Sequence, residues 1–153
     1  MTKIFCIYHG NCADGFGAAW AVRAALGDVD VEYYPGVYQQ EPPHVAGCDV
    51  LLVDFSYKKP VLEEMAQTAR SILILDHHKS AFEDLCDYDE PAETWAAHLS
   101  EVRENLDPMQ WVHRPFVRAL FDMKRSGAGL TWDFMHAGKE RPALIDHIED
   151  RDL

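Results

Sequence analysis

The stretch Asp49–His78, DVLLVDFSYKKPVLEEMAQTARSILILDHH, decides the fold. Its first segment, Asp49 to Phe55, is apolar through Val50, Leu51, Leu52 and Val53, without the alternation of a half-exposed strand. Such a run belongs to a strand covered on both faces. Lys59 to Arg70 predicts a helix with Pro60 in its first turn, where the missing N–H leaves no bond unmade. Ser71 to Leu75 repeats the continuous apolar character. Two buried strands joined by a helix make a βαβ unit with parallel strands.

Working outward, the same alternation continues. Lys3 to Tyr8 predicts a first strand, and Asp14 to Leu26 a helix with Ala18, Ala19, Val22, Ala25 and Leu26 at helical spacing, closed by Gly27. Val29 to Tyr34 reads as a second strand, stopped by Pro35-Gly36. Beyond His78, Ala92 to Asn105 is helical, Asp107-Pro108 interrupts it, and Trp111 to Met123 fits helix or strand. Ser126-Gly127 caps a helix running to about His136, and Glu140 to Asp152 predicts a last helix with Pro142 in its first turn. The expected class is α/β, a mostly parallel central sheet of about five strands with helices on both faces. Residues 1–153 form one domain, long enough to bury a core.

Twenty-six acidic against 14 basic residues give a net charge of −12. A domain that grips long duplex nucleic acid needs a basic face, so that class is excluded; a short nucleotide is not. Most of the acids solvate the surface, and a few are available as metal ligands. No apolar run approaches the roughly 20 residues that span a bilayer. The apolar block Ile4–Ile7 is too short for a signal peptide, and the expected compartment is the cytoplasm. Cys6, Cys12, Cys48 and Cys86 have no C-x-x-C spacing, which argues against a zinc knuckle or a redox pair.

Three polar clusters follow directly after strands: His9 to Asp14, Asp54, and Asp76-His77-His78. In an open parallel sheet, ligands bind outside the carboxyl ends of the strands, so these segments converge on one edge. Imidazole and carboxylate donors suit first-row divalent metals. An acid such as Asp54, directly after a buried strand, must be solvated, paired or metal-bound. Asp14 fits either a helix N-cap or a ligand. Trp20, Trp132 and Tyr57 read as core or rim residues, and His44, His98, His113, His136 and His147 as structural histidines.

Taken together, these segments resemble the DHH phosphoesterase family, and look closest to its oligoribonuclease or cyclic-nucleotide phosphodiesterase-like branch. The resemblance rests on His9–Trp20 (HGNCADGFGAAW), Val53-Asp54-Phe55-Ser56-Tyr57, Asp76-His77-His78-Lys79, Ser126-Gly127-Ala128 before Leu130-Thr131-Trp132, and Ile148-Glu149-Asp150-Arg151-Asp152. It implies a catalytic domain holding two Mn2+ ions, with Mg2+, Co2+ or Zn2+ as other candidates. His9 and Asp54 would hold one ion; Asp14, Asp54, His77 and Asp150 the other. Asp76 would orient a histidine, His78 would approach the phosphate, and Lys79, the one basic residue near the motif, fits a phosphate contact or a solvated surface equally well. Asp150 is preferred to Asp152 because it follows Ile145 and Ile148 within a turn.

Three departures from the family pattern stand out. Many members carry an aspartate where this chain has Cys12, and a thiolate there favours zinc over manganese. Tyr88 to Met109 reads as a helical insertion, rich in Glu and Trp. The chain also stops just after the fourth motif, where such proteins usually continue into a smaller substrate-closing domain. The function expected is metal-dependent hydrolysis of a small nucleotide or short oligonucleotide through a two-metal-activated water. A non-catalytic metal- or nucleotide-binding regulatory domain and an inorganic pyrophosphatase are the alternatives. No membrane partner is expected, and a homodimer is left open.

Overall fold

The protein is described from a computed structural model covering residues 2–106 and 114–153. Five parallel strands form the centre: β1 (Ile4–His9), β2 (Val31–Gly36), β3 (Asp49–Val53), β4 (Ser71–Asp76) and β5 (Val117–Phe121), in the order β2-β1-β3-β4-β5. Among the described residues six helices accompany them: α1 (Ala13–Leu26), α2 (Lys59–Ala66), α3 (Lys79–Leu85), α4 (Trp95–Asn105), α5 (Gly127–Met135) and α6 (Ala143–Asp152). The α/β class and the parallel sheet are as the sequence predicts.

Both faces of the sheet are covered, which explains the unbroken apolar runs. Phe5, Ile7, Val50, Leu52, Ile72 and Ile74 pack with Leu62 and Met65 of α2 and Leu85 of α3. Their alternates Cys6, Leu51, Val53, Leu73 and Leu75 pack with Ala18 and Val22 of α1 and Leu130 and Phe134 of α5. Every residue of β3 and β4 is buried. Burying a Leu or Ile side chain stabilises by about 1.5–3 kcal/mol, so these strands dominate the core. A smaller cluster of Ala21, Ala128, Trp132 and Ile145 joins α1, α5 and α6. Trp20 stacks on Trp132, and His136 lies against Trp132 and meets the Ala21 carbonyl, so these residues are structural.

Several local expectations are corrected. Pro35-Gly36 does not stop the second strand but completes it, with Pro35 opposite Tyr8. β2 is the sheet's edge, where a residue lacking an N–H costs no ladder bond. α2 ends at Ala66, before the expected Arg70, and the unforeseen α3 starts directly after His78. The ambiguous stretch after Trp111 contributes β5 at Val117–Phe121, its first part and the Asp107-Pro108 break lying outside the described residues. Of the stretch read as an insertion, α4 is the helical part. Its His98 packs against Phe116, which precedes β5, toward the sheet end opposite the polar clusters. No described helix is long and apolar enough to cross a membrane.

His98 is 1% exposed, and its Nδ1 has no hydrogen-bond partner among the described residues. Burial, followed by the Arg118 charge, lowers its pKa from 6.5 to about 4. The unfolded chain therefore binds a proton below pH 6.5 that the folded chain refuses until about pH 4. Stability is full above pH 6.5 and falls across that window by an amount on the order of 3 kcal/mol. Chemical denaturation of wild-type and His98→Phe chains at pH 7 and pH 4.5 should show a larger acid loss in the wild type. Equal losses would refute the assignment.

Candidate metal centre

The strand order changes direction between β1 and β3, and at such a point the connections leave in opposite directions and open a crevice. His9 ends β1, Asp54 follows β3, and Asp76 ends β4 with His77 and His78 next. The converging edge is as the sequence predicts. It brings together His9, Cys12, Asp14, Asp54, Asp76, His77 and His78.

Cys12, not Asp14, is the N-cap of α1: its sulfur accepts from the Gly15 amide at 3.2 Å. The same sulfur lies 3.2 Å from His9 Nδ1 and donates to Asp54 Oδ2 at 3.4 Å. Gly15 is needed here, because a Cβ would sit 2.1 Å from the His9 carbonyl oxygen. Asp14 is instead turned inward and buried, and its two oxygens accept from the Gly127 and Ala128 amides at 2.8 Å each. These amides open α5, whose first N–H groups have no partner within the helix and carry its positive end. Ser126 caps the same turn through the Gly129 amide.

Asp54 is 1% exposed and adopts a positive φ of 55°, a conformation that costs a non-glycine residue roughly 1–2 kcal/mol. Its amide still donates to the Leu75 carbonyl, which fixes the turn that aims its carboxylate at the edge. Gly127 passes so close that a Cβ there would lie 2.5 Å from the Asp54 Cβ. His77 Nε2 meets Asp54 Oδ1 at 2.9 Å and Asp14 Oδ2 at 3.2 Å. Asp76, fully buried, accepts from the Ser56 hydroxyl at 2.8 Å, the His77 amide at 2.8 Å and His78 Nδ1 at 2.7 Å. The bond to Nδ1 orients the His78 ring and leaves Nε2 facing Asp54 Oδ1 at 3.9 Å.

The electrostatics follow from three buried acids in one place. Hydrogen bonds to Asp14 and Asp54 push the His77 pKa up to about 10, which favours its protonated form between the carboxylates. The bond to Asp76 raises His78. Burial raises Asp54, and the Asp14 charge adds to it against the relief from His77. For Asp14 burial also pushes up, but the His77, Ala128 and Gly127 bonds outweigh it and the net shift is downward. Burial and the neighbouring carboxylates push the Cys12 thiol up to about 11.

The ligand expected from the last helix is corrected. Asp152, not Asp150, stands with Asp14 and His77, its Oδ2 3.7 Å from His77 Nε2. Asp152 lies seven residues after buried Ile145 and four after Ile148, the spacing of one helical face. Asp150 lies five and two residues on, off that face, and both acids are exposed. Lys79 is also not brought to the cluster: its side chain is 83% exposed and its ammonium lies 4.0 Å from Glu83. Ser56 and the α5 amides complete the site without having been foreseen. The glycine of Ser126-Gly127-Ala128 is the signal for the amides, since backbone can approach a carboxylate closely only where no Cβ intervenes.

The donor atoms fall into sets that can each hold a cation: His9, Cys12 and Asp54; Asp54, Asp76, His77 and His78; and Asp14, His77 and Asp152. Imidazole and carboxylate ligands fit a first-row divalent ion. No protein-family model and no solved structure matches the chain. It is similar to an uncharacterized protein of Acanthamoeba polyphaga mimivirus, with 28% identity over 162 aligned positions that cover 96% of this chain. The chain spans about a third of that relative's length, 32%.

Isothermal titration with Mn2+ separates the two candidate acids of α6. Asp152→Asn should weaken binding by roughly 10–100-fold, and Asp150→Asn by less than about twofold. The reverse order would show that α6 presents its other face. Gly127→Ala should destabilise the fold by about 1–3 kcal/mol through overpacking against Asp54, read from urea denaturation.

Proposed function

We propose that the chain is a two-metal phosphohydrolase of the DHH type, acting on a small nucleotide or short oligonucleotide. The observation that carries this reading is the division of the Asp54 carboxylate. Its Oδ2 faces Cys12 at 3.4 Å and His9 at 3.9 Å, while its Oδ1 faces His77 at 2.9 Å and His78 at 3.9 Å. A buried carboxylate with one oxygen toward each of two ligand sets is built to bridge two cations. The ordered motifs from His9 to Asp152 agree with it, with Asp152 in the place first given to Asp150.

In this reading His9, Cys12 and Asp54 would hold one ion, and Asp14, Asp54, His77 and Asp152 the other, with Mn2+ as the expected metal. A bound pair supplies a nucleophilic water at neutral pH and neutralises charge on the attacked phosphate. The side chains do the rest. Asp76 holds the His78 ring through Nδ1, leaving Nε2 at the edge to contact a phosphate oxygen. Ser56 and the His77 amide fix Asp76 in turn. Against burial, the His77 bond and then the α5 amides favour the ionised form of Asp14, the form that ligates.

Manganese-dependent hydrolysis of bis-p-nitrophenyl phosphate and of a ribodinucleotide is the direct test. Asp54→Ala should reduce both to background, and Asp76→Asn should lower turnover by about 10–100-fold through a misaligned His78. Preference for pyrophosphate over both esters would make the enzyme a pyrophosphatase. Metal binding without turnover of any of the three would make it a metal-binding regulatory domain. Cys12→Asp should lower the Zn2+-to-Mn2+ affinity ratio, because it replaces a soft sulfur with oxygen. An unchanged Zn2+-to-Mn2+ affinity ratio would remove Cys12 from the ligands.

A further inference from the structure

A cleft of about 770 Å³ lies between the loop after β2 and helices α2 and α3, within the roughly 300–1,000 Å³ range of small-molecule sites. None of the ligand sets lines it, yet it begins where they end. Ser56, in its wall, is the residue whose hydroxyl holds Asp76. Tyr38, also in its wall, stacks on Phe55 with ring centroids 4.8 Å apart and lies 5.5 Å from the His9 ring. Burial and then the charges of Asp76 and Asp54 push the Tyr38 phenol up to about 12, which agrees with its place at the border of the metal centre.

The lining states what the cleft takes. Val45, Tyr57 and Met65 give it buried apolar surface, and Tyr38, 48% exposed, adds a partly open aromatic ring. Its charged residues are Glu41, Glu64 and Asp84 against Lys58, with His44 beside them. Carboxylates in the majority repel a phosphate and accept hydrogen bonds from neutral amino groups. A flat aromatic group carrying N–H donors fits, and its attached phosphate would reach the edge where Asp54 and His78 lie.

Resting on the phosphohydrolase reading, we infer that this cleft is the base subsite, holding the purine or pyrimidine ring of the nucleotide whose phosphate sits at the metal centre. Stacking on Tyr38 and hydrogen bonds to the acidic lining give it affinity for the base. The arrangement makes the enzyme selective for nucleotides over simple phosphate esters.

Equilibrium binding of AMP and of ribose 5-phosphate to the manganese-loaded full chain tests this. AMP should bind at least about tenfold more tightly, the scale of one base stacked on an aromatic ring. Filling the cleft with Thr68→Trp, at an exposed position on one wall, or with Ala81→Trp from α3 should bring the two affinities within about twofold. Ribose 5-phosphate binding and bis-p-nitrophenyl phosphate turnover should stay unchanged in both variants. Equal binding of the two compounds by the wild type, or a preference that survives both variants, overturns the subsite. If that happens while bis-p-nitrophenyl phosphate is still hydrolysed, only the subsite fails. A base preference without any hydrolysis keeps the subsite and overturns the hydrolase, and no binding of either compound overturns both.

Discussion

Three carboxylates, Asp14, Asp54 and Asp76, are buried together at one end of a parallel sheet, and the rest of the site is arranged around that constraint. Burying an ionised group is costly unless it is paired or coordinated. The same protein shows the ordinary solution elsewhere. Asp49, at the opposite end of β3, accepts from Ser71 and lies 3.6 Å from Arg70, and Asp133 is held by Arg125 and Arg141. No arginine or lysine lies within ion-pair distance of the three edge acids among the described residues. They are met instead by helix-terminal amides, a serine and two histidines. Among the described residues no arginine or lysine neutralises them, and groups that can share them with a cation are present.

That constraint reaches into the fold. α5 must start where Asp14 can take its first amides, so Gly127 passes against the Asp54 Cβ and Ser126 caps the turn. Glu149 of α6 accepts from the Ser126 amide and hydroxyl and pairs with Arg141, which also holds Asp133 of α5. This network ties the helix that supplies Asp152 to the helix that satisfies Asp14. Half-buried charges of this kind add modest stability each, and their larger contribution here is geometric.

The fold was readable in the sequence because strands covered on both faces lose all periodicity, as Val50–Val53 and Ile72–Leu75 do. The positions of His9, Asp54, Asp76, His77 and His78 followed from where those strands end. What was not legible depended on phase or on neighbours. Asp150 and Asp152 are two residues apart, and only the packed face of α6, set by Ile145 and Ile148, tells them apart. Pro35 breaks a strand in isolation but is harmless on an edge, and the edge is a property of strand order. Cys12 displaced Asp14 as the cap because Asp14 found better partners 113 residues away in Gly127. Lys79 sits beside the motif in sequence, yet as the first residue of α3 it projects to solvent.

The two candidate donor sets at Asp54 are chemically unequal, one containing a thiol and the other only carboxylates and imidazole. Anomalous diffraction from crystals grown with Mn2+, and separately with Zn2+, tests the central claim most directly. Two ion peaks flanking Asp54 are expected, one against His9 and Cys12, the other against Asp14, His77 and Asp152. A single ion that leaves one Asp54 oxygen unshared, or no ion with His77 still bonded to Asp54, would contradict it.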